Sequence, residues 1–564
     1  MTRRLFLVVT ALIVSSLSLD AGSAPFRAKR GMVVSQSDIA SQIGFQVIRN
    51  GGNAVDAAVA TAFALAVTHP TAGNIGGGGF LVFRSAKGEA TTFDFREAAP
   101  AGSHPEMWLV NGKYDSDLHH NSHRAVGVPG TVAGFHFAWK TLGSKPWKEL
   151  VMPAVALARD GFEVSDALSR SLRRVLESED GFKKYPASVA QFSKNGVPYQ
   201  AGEILKQPDL ARTLERIANQ GPAGFYEGET ALLLEKEMKA NGGLITREDL
   251  KNYQAKQRAP IKGTYRGHEV IGMAPPSSGG TSVQLMLNIL EASDLKANGY
   301  GAAQNLHLIV ESMRRAFAER AQHLGDPDFV KTMPIDRLIS KEYAAELRKT
   351  INPQRASKSS PTSFTWSTES DQTTHFSIVD AQRNAVAVTY TLEASYGSKI
   401  VAPGTGFLLN NEMGDFNAGP GLTNDAGLIG TDPNLARPGK RMLSSMSPTI
   451  VSKDGKLVMV TGSPGGRTII NTVLLTILNV IDFGMNAQEA VDAGRLHHQW
   501  LPDRITYEEF GFSADTIAAL KAMGHTLQQG GSQGVAQVIV YNATDDMLEG
   551  GLDRRVADGG AAGK

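Results

Sequence analysis

The chain reads as an α+β protein built on layered sheets, and three features carry that expectation. Strand-like runs concentrate beyond residue 373, a mainly helical stretch fills about 145–349, and helices return after the strands. That order differs from the strict strand–helix alternation of a dinucleotide-binding fold. With 564 residues and 42% apolar content, there is enough chain for two to four ordinary domains with substantial cores.

Taken in order, Met1-Thr2-Arg3-Arg4 is a short positive start, 5–19 is mostly apolar, and small residues surround Ala21 to Ala24. This is the pattern of a secretory signal peptide, assigned to residues 1–24, and it directs the protein to the periplasm or out of the cell. The apolar run falls short of the roughly 20 residues needed to span a bilayer. Residues 32–35 read as a strand and 37–49 as a helix ended by Asn50-Gly51-Gly52. Asn53 caps an alanine-rich helix through Val67 that is suited to close packing. The run Gly76 to Gly79 lacks the order of a phosphate-binding loop and predicts close backbone approach before a strand at 80–83.

A second strand, 91–95, carries Arg96 at its end. Helices are expected at 132–142, 148–159, 165–177, 209–220, 229–241, 281–291, 304–321 and 340–349, with Thr246 and Asp249 forming a capping box. Residues 265–273 read as one strand. The Ser/Thr-rich 350–372 region reads as a linker or exposed strand. Beyond it, strands are expected at 374–379, 385–391, 405–410, 447–453, 457–463 and 535–541, with a hairpin turn at Asp454-Gly455. Helices are expected at 467–481, 487–494 and 513–523, and the last residues, from about 549, read as a Gly/Ala-rich tail.

Composition excludes several kinds of chemistry. There is no cysteine, hence no disulfide, thiol nucleophile, thiolate zinc site or iron–sulfur cluster. Basic and acidic residues number 57 and 56 with no basic run, so no nucleic-acid partner is expected. The thirteen histidines form no HExxH pattern, and neither metal nor cofactor is expected. What remains is hydroxyl chemistry. A threonine that begins a chain has its own α-amine, of pKa about 8, to take the proton from its hydroxyl. Such a residue needs a backbone cut before it, and the 350–372 stretch ahead of Thr373 offers the place for one.

The stretch Gln372-Thr373-Thr374-His375-Phe376-Ser377-Ile378-Val379-Asp380 resembles the processing site of the gamma-glutamyltranspeptidases, which are N-terminal-nucleophile hydrolases. The resemblance runs from about Met32 to Ala562. It includes Pro70 to Phe80, Asp94-Phe95-Arg96-Glu97, Pro129 to Gly134, Pro276 to Gly280, Leu408 to Met413, Leu443 to Ile450 and Gly462 to Gly466. It implies a four-layer αββα sandwich with a mainly helical portion in the large subunit. The proenzyme would cut itself between Gln372 and Thr373 into a large subunit, 25–372, and a small catalytic subunit, 373–564, that stay together as a heterodimer. Thr373 is then the nucleophile, Thr391 the hydroxyl that hydrogen-bonds it, and Gly465-Gly466 the backbone oxyanion hole. Arg96, Ser444 and Ser445 would hold the donor α-carboxylate, and Asp415 with Glu412 its α-ammonium. The donors implied are glutathione and other γ-glutamyl compounds; the acceptors are amino acids, peptides or water.

Four positions depart from the family pattern. Glu393 stands where several relatives have Asn, Glu412 where some have Gln, and Gly414 where Asp is frequent; the added carboxylates should raise at least one pKa in the site. Ala426 replaces a lid-loop aromatic of some relatives. Two rival functions are a glutaryl-cephalosporin acylase-like amidase of the same fold and an uncleaved periplasmic binding protein. Asp415 argues against the first, since a glutaryl group has no ammonium, and the intact set of Thr373, Thr391, Arg96, Gly465 and Gly466 argues against the second.

Overall fold

The computed structural model describes residues 22–360, 373–422 and 430–564. Most of the expected signal segment, residues 361–372 with Gln372, and Ala426 lie outside the described residues.

Two antiparallel seven-stranded sheets form the centre. In chain order their strands are β1 Phe26–Ala28, β2 Met32–Ser35, β3 Gly78–Arg84, β4 Ala90–Phe95, β5 Lys256–Arg258, β6 Ile261–Tyr265 and β7 His268–Gly272. These are followed by β8 Thr374–Val379, β9 Ala385–Thr391, β10 Thr449–Lys453, β11 Lys456–Thr461, β12 Gln537–Asn542, β13 Met547–Leu552 and β14 Gly560–Gly563. One sheet runs β5-β4-β3-β9-β8-β2-β14 and the other β1-β13-β12-β11-β10-β7-β6. Period-2 alternation makes the sandwich: Phe80 and Val82 join the core facing the second sheet, while Leu81 joins the core under the helices.

Helices close both outer faces. Helix α1 (Asp38–Arg49) packs on α2 (Ala54–Thr68), which lies against β8 and β9, and α3 (Thr131–Leu142) covers β3 and β4. On the other side α4 (Gly279–Glu291) covers β6 and β7 and packs against α5 (Ala303–His323) and α6 (Thr468–Ile481). This is the αββα order, with further helices gathered in the chain before residue 350. Every residue of α2 is buried, which its alanines permit, and Asn53 forms the expected capping box with Asp56.

Both sheets interleave strands from either side of the 372–373 bond. Strands β8 and β9 lie between β2 and β3, and β10 to β13 lie between β7 and β1. A cut at that bond therefore leaves each half hydrogen-bonded into sheets completed by the other.

Three expectations are corrected. Residues 265–273 are not one strand: the chain turns at Arg266 and Gly267, both with positive φ (47° and 76°), so β6 and β7 form a hairpin. Residues 405–410 form no strand; Leu408 makes only an isolated bridge to Val401. The C-terminal tail is ordered, because β13 and β14 pair with β12 and β2, a tertiary contact that overrides weak strand propensity. The described part of the linker is also anchored, with the Ala356 N–H donating to the Met523 carbonyl at 2.8 Å.

Candidate active site

Strand register sets the nucleophile. Thr374 lies opposite Tyr390, so one step further Thr373 faces Thr391, and its hydroxyl donates to Thr391 Oγ1 at 3.3 Å. The same oxygen accepts from the Glu393 N–H at 2.8 Å. Glu393 has φ of +76°, a left-handed conformation that costs a non-glycine residue and turns the chain sharply after β9. The glycine run supports this corner by the expected close approach. A side chain on Gly77 would collide with the Thr391 carbonyl, to which Asn74 Nδ2 donates at 2.9 Å.

Gly465 and Gly466, with φ of 127° and 54°, form the turn into α6, a conformation that favours glycine. Among the described residues, no charged side chain hydrogen-bonds the Thr373 hydroxyl. His375, two residues past the nucleophile, is fully buried between Thr389 and Ser377, and burial lowers its pKa to about 3, so it stays neutral.

A narrow pocket opens from Thr373 and is lined by Arg96, Thr391, Glu393, Glu412, Asp415, Ser444, Ser445, Met446, Gly466 and Ile469. It brings together every site residue expected from the sequence except Gly465, which with Thr373 lines an adjoining cleft of about 570 Å³.

Arg96 projects from the end of β4, fully buried, and pairs through Nη1 with Glu412 and through Nη2 with Asp415; Glu97 lies 3.5 Å from Nη1. Burial opposes its charge, but those three carboxylates outweigh burial and raise its pKa. The arginine thus already meets the groups expected to face the ammonium. The acidic side answers as anticipated for crowded carboxylates. Burial, reinforced by Glu97, Asp415 and Glu393, holds the Glu412 carboxyl well above the usual range despite Arg96, and burial pushes Glu97 up to about 7.

Ser444 Oγ accepts from the Met446 N–H at 3.1 Å, and Ser445 Oγ accepts from Arg320 Nη2 at 3.1 Å. Arg320, from α5, also donates to Ser278 Oγ (2.7 Å), whose hydroxyl bonds the Ser444 carbonyl. Sequence reasoning missed this brace. Only the Ser277-Ser278 stretch hinted at it, because Arg320 and Ser445 are far apart in the chain. Also unanticipated is a buried trio, His307, Glu311 and His525, whose donor atoms lie within 4.8 Å of one another. The two rings hydrogen-bond at 2.8 Å and Glu311 accepts from Arg315 at 2.6 Å, so these atoms already have protein partners.

The αββα sandwich, with a threonine at the head of a central strand facing a glycine turn, defines an N-terminal-nucleophile hydrolase. The gamma-glutamyltranspeptidase family model matches residues 40–563, and the chain belongs to that family. It is 49% identical over 543 residues to the glutathione hydrolase proenzyme of Escherichia coli K12, covering 96% of this chain and 93% of that one. It is 37% identical over 556 residues to the glutathione hydrolase proenzyme of Bacillus subtilis strain 168, covering 92% and 91%. Among solved structures, cephalosporin acylase from Bacillus halodurans superposes with a TM-score of 0.85 at 26% identity, over 98% of this chain and 99% of the other. Helicobacter pylori gamma-glutamyltranspeptidase matches with a TM-score of 0.55 at 47% identity, over 57% of this chain and 91% of its own.

Proposed function

We propose that the chain is a proenzyme that cuts itself between Gln372 and Thr373 and then works as a gamma-glutamyltransferase and glutathione hydrolase. The observation that carries this is the buried pocket joining Thr373 to one guanidinium and a group of carboxylates, which matches a donor head bearing both an α-carboxylate and an α-ammonium.

In self-cleavage the Thr373 hydroxyl attacks the Gln372 carbonyl and the peptide becomes an ester. The C–N bond breaks in that shift and frees the Thr373 amine, and water then hydrolyses the ester, releasing a Gln372 carboxylate and the Thr373 hydroxyl and giving subunits 25–372 and 373–564. In turnover that amine takes the hydroxyl proton as Oγ attacks the donor γ-carbonyl, while Thr391 orients the hydroxyl. The oxyanion forms at the Gly465 and Gly466 amides, and the amine returns the proton to the leaving amine. Cysteinylglycine leaves when the donor is glutathione. Water or the amine of an amino acid or peptide then takes the γ-glutamyl group from Thr373. Arg96, Ser444 and Ser445 hold the α-carboxylate, and Glu393, Glu412 and Asp415 the ammonium. Residues 1–24 act as an export signal, and the enzyme works in the periplasm or outside the cell.

A donor panel tests this against an acylase-like activity. Turnover of γ-glutamyl-p-nitroanilide should far exceed that of glutaryl-p-nitroanilide, which lacks the α-ammonium; the reverse preference would overturn the assignment.

A further inference from the structure

Two departures noted in the sequence, Glu393 and Gly414, meet a third residue that no expected role included. His120 ends the short helix Ser116–His120, and its Nδ1 lies 3.5 Å from Glu393 Oε1. Gly414 lies under the ring. A Cβ there would collide with Nδ1 and come within 2.9 Å of Cε1 and 3.2 Å of Glu393 Oε1. The φ of Gly414 is not in the left-handed region, so the position is small for space, not for backbone conformation.

The rest of the unit is tightly tied. Asn411 Nδ2 donates to the His120 carbonyl at 3.1 Å and also to Glu393 Oε2. Tyr114 Oη lies 3.3 Å from His120 Nε2 and 3.0 Å from His119 Nδ1. His119 Nε2 in turn reaches the Met413 carbonyl at 3.1 Å, and its ring stacks on Trp108. Glu393 Oε1 is buried with no hydrogen bond among the described residues, while its carboxylate lines the pocket beside Thr373. A buried carboxylate oxygen of this kind is costly unless a cation stands by it.

We propose that His120, seated on Gly414, is a positioning residue that holds the Glu393 carboxylate toward the donor α-ammonium, and that Gly414 is needed because the imidazole occupies that space. This rests on the donor-head reading above. The titratable groups facing His120 are Glu393, Asp415, Lys399, Tyr114 and its neighbour His119. Burial opposes the imidazolium, but Glu393 and Asp415 outweigh burial and Lys399, so the ring's pKa rises and the charged form is favoured beside Glu393.

The test is donor kinetics with γ-glutamyl-p-nitroanilide on self-cleaved enzyme, with glutaryl-p-nitroanilide for comparison. His120→Leu should raise the γ-glutamyl donor KM about tenfold, the scale of one charge-assisted contact, with kcat within about twofold. The glutaryl KM should not move, and His120→Asn, which keeps a donor near Nδ1, should recover part of the loss. Gly414→Ala should reproduce the KM rise in the native background and add nothing in a His120→Ala background, because the clash is with the ring. Asp415→Asn separates the two levels of the reading. If it raises the donor KM and folded His120→Leu does not, the role of His120 is overturned while the donor-head reading stands. If neither variant moves the KM, both fail. A Gly414→Ala effect equally large without the imidazole would also overturn the proposal.

Discussion

The two ends of the active-site pocket are built on opposite physical terms. At the nucleophile end Thr373, Thr391 and the Gly465-Gly466 turn offer hydroxyls and backbone amides, and the neighbouring His375 is held neutral by burial. At the head end one buried guanidinium stands among Glu97, Glu412 and Asp415, with Glu393 and its partner His120 alongside. Bond breaking and recognition are therefore separable. The uncharged end must also act on the chain's own Gln372–Thr373 bond, where no ammonium or carboxylate head is present to be recognised. The charged end recognises an outside donor, and its buried carboxylates add a pH dependence beside that of the Thr373 amine.

Variants should divide along that line. The largest effect belongs to Thr373→Ala, which should leave one uncut chain and lower turnover by about four orders of magnitude or more, as read by gel and by donor assay. Arg96→Leu comes next. It strands buried carboxylates without their cation, costing about 3–5 kcal/mol of stability, and donor kcat/KM should fall about a thousandfold. Arg96→Lys should restore much of the stability but not the two-pronged hold on the donor. Thr391→Val keeps the β-branch and removes the hydroxyl, and should slow both self-cleavage and turnover by about 10- to 100-fold. Glu393→Asn should act on one end only, weakening donor binding about tenfold while self-cleavage proceeds at the native rate. Equal damage to both reactions would erase the distinction between the ends.

The smallest effect is on stability against pH. Glu97 has its pKa raised from 4.5 to about 7, chiefly by burial. A carboxyl raised in the folded state contributes stability that is complete below the unfolded pKa and is lost as pH rises through the folded one. Between about pH 4.5 and 7 the native thermal midpoint should therefore carry a downward contribution that Glu97→Gln removes. Parallel melting curves of the two proteins across that window would check it.

How much of this was legible in the sequence differs between the same two ends. The nucleophile lies in one local stretch, and its strand, its partner strand and the alanine-rich helix beneath them follow from period and capping alone. The head pocket collects residues from positions 96, 393, 412–415 and 444–445, and no local pattern joins them; the family resemblance did. His120 and Arg320 were missed because each acts through a residue far away in the chain. Two of the three fold errors share that origin. The Gly560–Gly563 strand has no β-branched residue and exists because β2 offers it an edge, whereas among the described residues the 405–410 segment has no strand beside it to complete a ladder. The 265–273 error was local instead, a missed two-residue turn at Arg266-Gly267.

The central claim is that one residue becomes both attacker and base by gaining a free amine. Intact-mass measurement of purified active enzyme, paired with Thr373→Ala, tests it most directly. The native protein should give two polypeptides, the smaller beginning at Thr373, and the variant a single inactive chain. Full activity in a polypeptide unbroken between Gln372 and Thr373 would contradict it.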